Sequence, residues 1–388
     1  LFCHKQRNMT EVRIAACTRA AGITIGATLI LAMLIGQGTT HTKTPPSPQL
    51  GSIYNRVQLL TNLTAKFTPS EATGDWEGAD ATSSVQLRDG RMLFVFSDTF
   101  IGSTTYGVRN ISGMPHNSVA ILETSQHSKP EFFMGAGNNG FFHSDEQGIY
   151  LWPVVSAVLP SGNVFILAIR INESDPFLVT SGSVSILLDA SHADPTQWNY
   201  TAKTIPFTSK NMSASSGVIL YEEFVYIVGA THDENGAVSN QIMLRNPIHE
   251  TEKGAWDQAQ VFSDSYTWSS VVDAPPAIIF KGGRYSEGSL VMLEGLGIAF
   301  VGLQAFESHV TLRTCETLSE PLFSEPQNLI AINDWIPPIK NETVIAYAAK
   351  VHPPALARWA GKKPEGATRL IVSFNTNLFN ATFDAYSD

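Results

Sequence analysis

The chain is poor in cysteine, poor in charge and without sustained helical periodicity, and each shortage excludes a class of protein. Of its 3 cysteines, Cys3 and Cys17 lie before or at an apolar run near the N-terminus, and only Cys315 falls in the body. A disulfide scaffold in the body is excluded, so the fold must stand on its hydrophobic core. Charged residues make up only 15% of the chain, with a net charge of −10 and no Lys/Arg cluster beyond the N-terminus. That balance argues against nucleic acid and anionic membrane surfaces as partners, and it disfavours a strongly anionic substrate. No Gly-x-Ser-x-Gly elbow, no His-x-x-x-His and no paired-Cys zinc spacing occurs. Nucleophile-elbow hydrolysis and structural zinc are therefore unsupported, and no cofactor is expected. An oxygen-rich rim is compatible with a structural calcium ion, although no motif demands one.

What is present is apolar and strand-forming. Hydrophobic residues make up 43% of 388 positions, enough for an extensively buried core. The first 50 residues stand apart. Lys5, Arg7, Arg13 and Arg19 precede the apolar run Ala21 to Gly36, and a Thr/Pro-rich stretch from Thr39 to Pro48 follows it. The run is a little short for a span of about 20 residues. It reads as a signal peptide h-region or a single signal anchor behind a short cytosolic tail, with the rest of the chain secreted or facing the lumen. Asn-x-Ser/Thr sequons at Asn62, Asn110, Asn172, Asn199, Asn211, Asn341 and Asn380 agree with export as a glycoprotein. Residues 51–388 form the expected folded domain.

Within that domain, short apolar runs come in pairs around Gly-bearing or charged turns. Ala81–Leu87 pairs with Arg91–Ser97, and Pro153–Leu159 with Val164–Arg170. Gly217–Tyr221 pairs with Phe224–Gly229, Ala277–Phe280 with Ser289–Leu293, and Val344–Val351 with Arg369–Phe374. Further strands are expected at Ser118–Leu122, Ser183–Leu188, Gln241–Arg245 and Val310–Thr314. Three or four strands per unit, repeated five times at about 60 residues, predict an all-β five-bladed propeller, with a pair of β-sandwiches as the alternative.

The first pair carries the strongest functional signal. Asp89-Gly90 makes a tight turn, so the start of one strand lies beside the end of the other. Asp80 and Asp98 are thereby placed at one rim of the fold. Two adjacent carboxylates are the minimum for acid/base chemistry on a sugar bond. Propeller geometry sends further strand ends to the same face, collecting Trp152, Arg170, His232, Asp233, Asp273, Glu294 and Asn375. Asn117, which follows the first hairpin, and His352, beside Pro353-Pro354, complete the candidate set. Aromatic faces stack on sugar C–H surfaces while carboxylates and amides bridge hydroxyls, so carbohydrate is the expected partner.

The motif Ala79-Asp80-Ala81 … Ser84 … Leu87-Arg88-Asp89-Gly90-Arg91 … Phe94-Val95-Phe96-Ser97-Asp98-Thr99-Phe100-Ile101-Gly102, followed by His116-Asn117-Ser118, resembles a family of secreted propeller proteins, many without assigned function. Leu151-Trp152-Pro153, Leu312-Arg313-Thr314, Glu320 to Pro326, and Val351-His352-Pro353 with Val372-Ser373-Phe374-Asn375-Thr376-Asn377 are also similar to that family's later segments. The likeness spans most of residues 75–380. The chain departs from it at Phe94, where the family prefers Trp, and at Ala81, where it prefers Gly. That family is in turn similar to five-bladed furanosidases such as arabinanases and levanases. Carried over, the resemblance implies that Asp80 is base or nucleophile, Asp98 the pKa modulator or second carboxylate, and Glu294 the general acid. It implies a glycoside hydrolase-like activity on a polysaccharide, or a non-catalytic glycan-binding surface protein.

Overall fold

The computed structural model describes residues 29–35, 57–59, 66–67 and 76–380, less short internal segments of which 335–341 and 357–367 are the longest. These residues are nearly all β. Five antiparallel sheets follow one another along the chain, and in four of them the spatial order of strands is the chain order. The first sheet is built from Ser83–Gln86, Met92–Phe96, Ser118–Leu122 and Glu131–Phe133. The second contains Ile149–Val158, Val164–Asn172, Thr180–Asp189 and Asn199–Thr204. The third contains Met212–Tyr221, Phe224–His232, Val238–Pro247, Gln260–Phe262 and Trp268–Ser270. The fourth contains Gly288–Leu293, Gly297–Gly302, His309–Cys315 and Gln327–Ala331. In the fifth, Glu342–His352 pairs with Thr368–Asn380, which in turn pairs with Leu29–Ile35 and, beyond it, Val57–Leu59. A smaller sheet of Trp76–Ala79, Thr99–Thr105 and Val108–Gly113 branches from the first.

The leading strand of each of the five sheets touches the leading strand of the next, and that of the fifth touches that of the first. The cores repeat this cyclic order. One apolar cluster joins Val95 and Ile121 of the first sheet to Ile166 and Ile186 of the second. Others join Phe165 to Ile227, Val228 to Phe300, and Val301 to Val372. The last brings Phe94 and Phe96 of the first sheet against Ile371 and Leu356 of the fifth region. A sheet pressed between two neighbours buries both faces, which is why Met92–Phe96 is apolar without alternation and wholly buried. Phe94, the departure from the family's Trp, is a core residue with no exposure.

Two expectations are corrected or extended. Ala277–Phe280 is not a strand of the fourth pair. Pro275 and Pro276 precede it, and proline cannot donate to a ladder. The segment runs instead as a link: Ala277 N–H donates to Phe262 O and Ile279 N–H to Gln241 O, while Ile279 O accepts from Phe323 N–H. The true fourth hairpin is Gly288–Leu293 with Gly297–Gly302. The apolar run near the N-terminus contributes the strand Leu29–Ile35, and no helix among the described residues is long and apolar enough to cross a membrane.

Candidate functional site

Asp80 and Asp98 are brought together as the Asp89-Gly90 turn requires. Asp80 N–H donates to Asp98 O at 2.9 Å, and Ser97 N–H donates to Asp80 O at 3.0 Å. Their side chains then reach toward two different sheets. The Asp98 carboxylate is 3% exposed and accepts the Trp152 indole N–H at 2.7 Å on Oδ1. The same oxygen lies 3.3 Å from His116 Nδ1. The Asp80 carboxylate, partly buried, accepts the Tyr347 hydroxyl, which arrives from the leading strand of the fifth sheet. Three sheets thus meet at one rim.

Aromatic rings line that rim. The His116 imidazole lies on the Tyr150 ring with centroids 3.6 Å apart and planes 9° from parallel. Tyr150 and Trp152, two residues apart on one strand face, stand 5.8 Å apart at 59°. Across the next strand end Arg170 pairs with Glu146 at 2.5 Å. Asn375 is the register partner of Tyr347 and is 3% exposed. Cross-strand partners project to the same side, yet neither the nitrogen nor the oxygen of its amide finds a protein partner. A buried amide without partners is expensive unless water or a ligand satisfies it.

Backbone strain concentrates here. Among the described residues four non-glycine positions have a left-handed backbone. Glu222 and Tyr266 sit in tight turns. Ala81, at φ +52°, follows Asp80, and Ala348, at φ +53°, follows Tyr347 within an irregular step of its ladder. Both halves of the carboxylate–phenol contact therefore stand beside a strained alanine. At Ala81 the resembling family prefers glycine, the residue that adopts this φ freely.

The other expected residues are scattered. Asn117 is fully buried; its amide donates to Phe142 O and Leu151 O and accepts from Phe142 N–H, so it ties loop to strand. His352 is 2% exposed between Ser84 Oγ and Ser373 Oγ, each at 2.7 Å, where burial and then the nearby Lys350 push its pKa down to about 3. It is a neutral seam between the first and fifth sheets. Asp273 is exposed in the turn after the outermost strand of the third sheet, away from the rim. Asp233 follows the Phe224–His232 strand at the rim end of its hairpin, half-buried, and His232 there meets Ser213 Oγ at 2.8 Å. Glu294 lies outside the described residues. Leu293 and Gly297, which bracket it, pair at the end of the fourth hairpin opposite Gly288 and Gly302.

The fourth sheet contributes a different acid at the start of its leading strand. Glu287 Oε2 lies 3.0 Å from the ammonium of Lys350, which is 1% exposed. Desolvation lowers the Lys350 pKa, and the Glu287 charge opposes that shift. Among the described residues no group of three or more His, Cys, Asp or Glu side chains is placed to hold a metal ion.

One solved structure shares the fold, and others are more distantly similar. A Bacteroides ovatus protein for which hydrolase activity has been suggested superposes with a TM-score of 0.60 at 14% identity, over 84% of this chain and 91% of its own. A GH43_1 enzyme from Xanthomonas citri gives 0.42 at 9% identity, over 81% and 93%. An alpha-L-arabinanase from Cellvibrio cellulosa gives 0.35 at 10% identity, over 68% and 75%. No curated protein matches the chain in sequence. Residues 66–388 match the model of the family described as a domain of unknown function, DUF5005, and the chain belongs to that family.

Proposed function

We propose that the five sheets are the blades of a five-bladed propeller, and that the protein is a glycoside hydrolase-like enzyme acting on an extracellular or lumenal polysaccharide. Furanosides are the first class to test. The observation that carries this reading is the strained contact at the rim: Asp80, just ahead of the first sheet's leading strand, and Tyr347, in the fifth sheet's, each precede a left-handed alanine. Strain of about 1–3 kcal/mol per site persists only where the surroundings over-determine it, and such sites cluster where function needs them. Asp80 is assigned as base or nucleophile, with Trp152 and the unpartnered Asn375 amide facing sugar hydroxyls and C–H faces. The motif resemblance and the suggested hydrolase activity of the Bacteroides ovatus protein support the same class.

A second reading, a non-catalytic glycan-binding propeller, is favoured by one fact: both carboxylates already hold an internal donor. The test is a screen of the purified domain against arabinans, fructans and galactans, with Asp80→Asn alongside. Hydrolysis that falls by about 10²–10⁴-fold in the variant, with an unchanged circular-dichroism spectrum, supports the enzyme. Binding without turnover in both proteins supports the alternative. Equal turnover in both removes Asp80 from the mechanism.

Export is part of the proposal. Asn172, Asn199 and Asn211 are exposed, as oligosaccharide acceptors must be. N-terminal sequencing of the mature protein decides whether the segment containing Leu29–Ile35 is removed or retained beside Thr368–Asn380.

A further inference from the structure

A hydrolase of this kind needs a proton donor as well as a base, and the carboxylates at the rim are poorly disposed to be that donor. Asp98 is enclosed, with Oδ1 turned to Trp152 and His116. Glu287 is committed to the buried Lys350 ammonium, 3.0 Å from its Oε2.

We propose that His116 is the proton-transfer partner of Asp80, and that Asp98 is the positioning residue that aims it. This rests on the glycoside-hydrolysis reading above. The geometry has the layered form that such a pair requires. The side chain of Asp98 is 4% exposed and lies behind; that of His116 is 28% exposed and lies in front. A carboxylate facing Nδ1 fixes the proton there, so Nε2 becomes the working nitrogen. The Tyr150 face, 3.6 Å away, sets the plane of the ring. The backbone is held on both sides. Pro115 O accepts Thr99 N–H at 2.9 Å, and the Asn117 amide is locked to Phe142 and Leu151. The groups facing the imidazole are Asp98 from the first sheet and Tyr150 from the second; Asp80 is bonded to the Asp98 backbone, and the Glu146–Arg170 pair lies at the neighbouring strand ends.

The step balances as follows. Water attacks the anomeric carbon and gives a proton to the Asp80 carboxylate. The bond from that carbon to the bridging oxygen breaks, its electron pair goes to the oxygen, and that oxygen takes the proton from His116 Nε2. Exchange with solvent returns the proton from Asp80 to His116. The Nδ1 proton stays on the Asp98 side throughout.

Two measurements test this. Nitrogen-15 NMR of the histidines should show neutral His116 as the Nδ1-protonated tautomer, a preference that should be lost in Asp98→Asn. Kinetically, His116→Gln should lower kcat by about 10²–10⁴-fold with little change in KM and should abolish the alkaline limb of the pH–rate profile. Aryl glycosides, whose leaving groups need no proton, should recover most of that loss in His116→Gln and none of it in Asp80→Asn. An Nε2-protonated tautomer, a tautomer preference indifferent to Asp98→Asn, or a preserved alkaline limb overturns the assignment. Equal turnover of a natural glycan by wild type and His116→Gln overturns this inference alone. Absence of wild-type turnover on every glycan overturns the hydrolase reading and this inference with it, while the NMR result still reports whether Asp98 fixes the imidazole.

Discussion

The two ends of the leading hairpins solve the same backbone problem in opposite ways. At the turn end, left-handed backbone falls mostly on glycine: Gly90 at φ +90°, Gly162 at +97° and Gly297 at +80°. At the site end it falls on Ala81 and Ala348 as well as on Gly148, at φ +75°. The turn end is held by surface contacts, such as Arg88 donating to Pro160 O, whereas the site end carries enclosed charges and an unpartnered amide. One end is relaxed and locally specified. The other is strained and specified only by partners from distant sheets.

That contrast can be broken by substitution, beginning with the largest effect. His352 is the most sensitive element of the seam. Its folded pKa of about 3 lies below the unfolded value near 6.5, so the unfolded chain takes up the proton first. Stability is then complete above pH 6.5 and falls as pH drops toward 3, by about 4–5 kcal/mol in all. Urea denaturation across that range should show the slope, and His352→Gln should flatten it. Next, Lys350→Met leaves the half-buried Glu287 uncompensated and should cost about 3–5 kcal/mol. Arg88→Met at the exposed turn end should cost less than about 1 kcal/mol. Similar losses in these two variants would erase the distinction between the ends. The smallest pair is the sharpest. Gly90→Ala has open space at Cβ, 3.5 Å from Thr124, so only its φ opposes it, and about 1–2 kcal/mol should be lost. Ala81→Gly should recover about 1 kcal/mol, read as a higher Tm. If Ala81→Gly destabilises, the left-handed alanine is not a strain reservoir.

The relaxed end was the legible one. Asp89-Gly90 and Pro160-Ser161-Gly162-Asn163 announce their turns through local φ requirements, and the strands around them follow. The union of Asp80 with Asp98 was legible for the same reason, since a tight turn between them determines it. Where a turn signal misled, the strand reading failed with it. Ala277–Phe280 is apolar and reads as a strand, but two prolines ahead of it make it a link, so the pairing that led to Glu294 is replaced by Gly288–Leu293 with Gly297–Gly302, and Glu294 itself lies outside the described residues. His116, Tyr150 and Tyr347 were not singled out, because only tertiary contacts set their neighbours. Two of them left a trace: His116 stands beside Asn117 in the resembling motif, and Tyr150 lies two positions before Trp152 and so on its face. Asn117 and His352 illustrate the converse: polar residues in suggestive motifs whose bonding capacity is spent inside the protein.

The contact between Tyr347 and Asp80 spans 267 positions of sequence, and the Ser84–His352 bond spans 268. Loop closure on that scale is slow, and a nascent chain has no Tyr347 to offer until the second, third and fourth sheets have been synthesised. The second, third and fourth sheets can consolidate beforehand through their own neighbouring contacts. The rim site is therefore completed last, and the appearance of its Tyr347–Asp80 contact during refolding would time the moment at which the first and fifth sheets find each other.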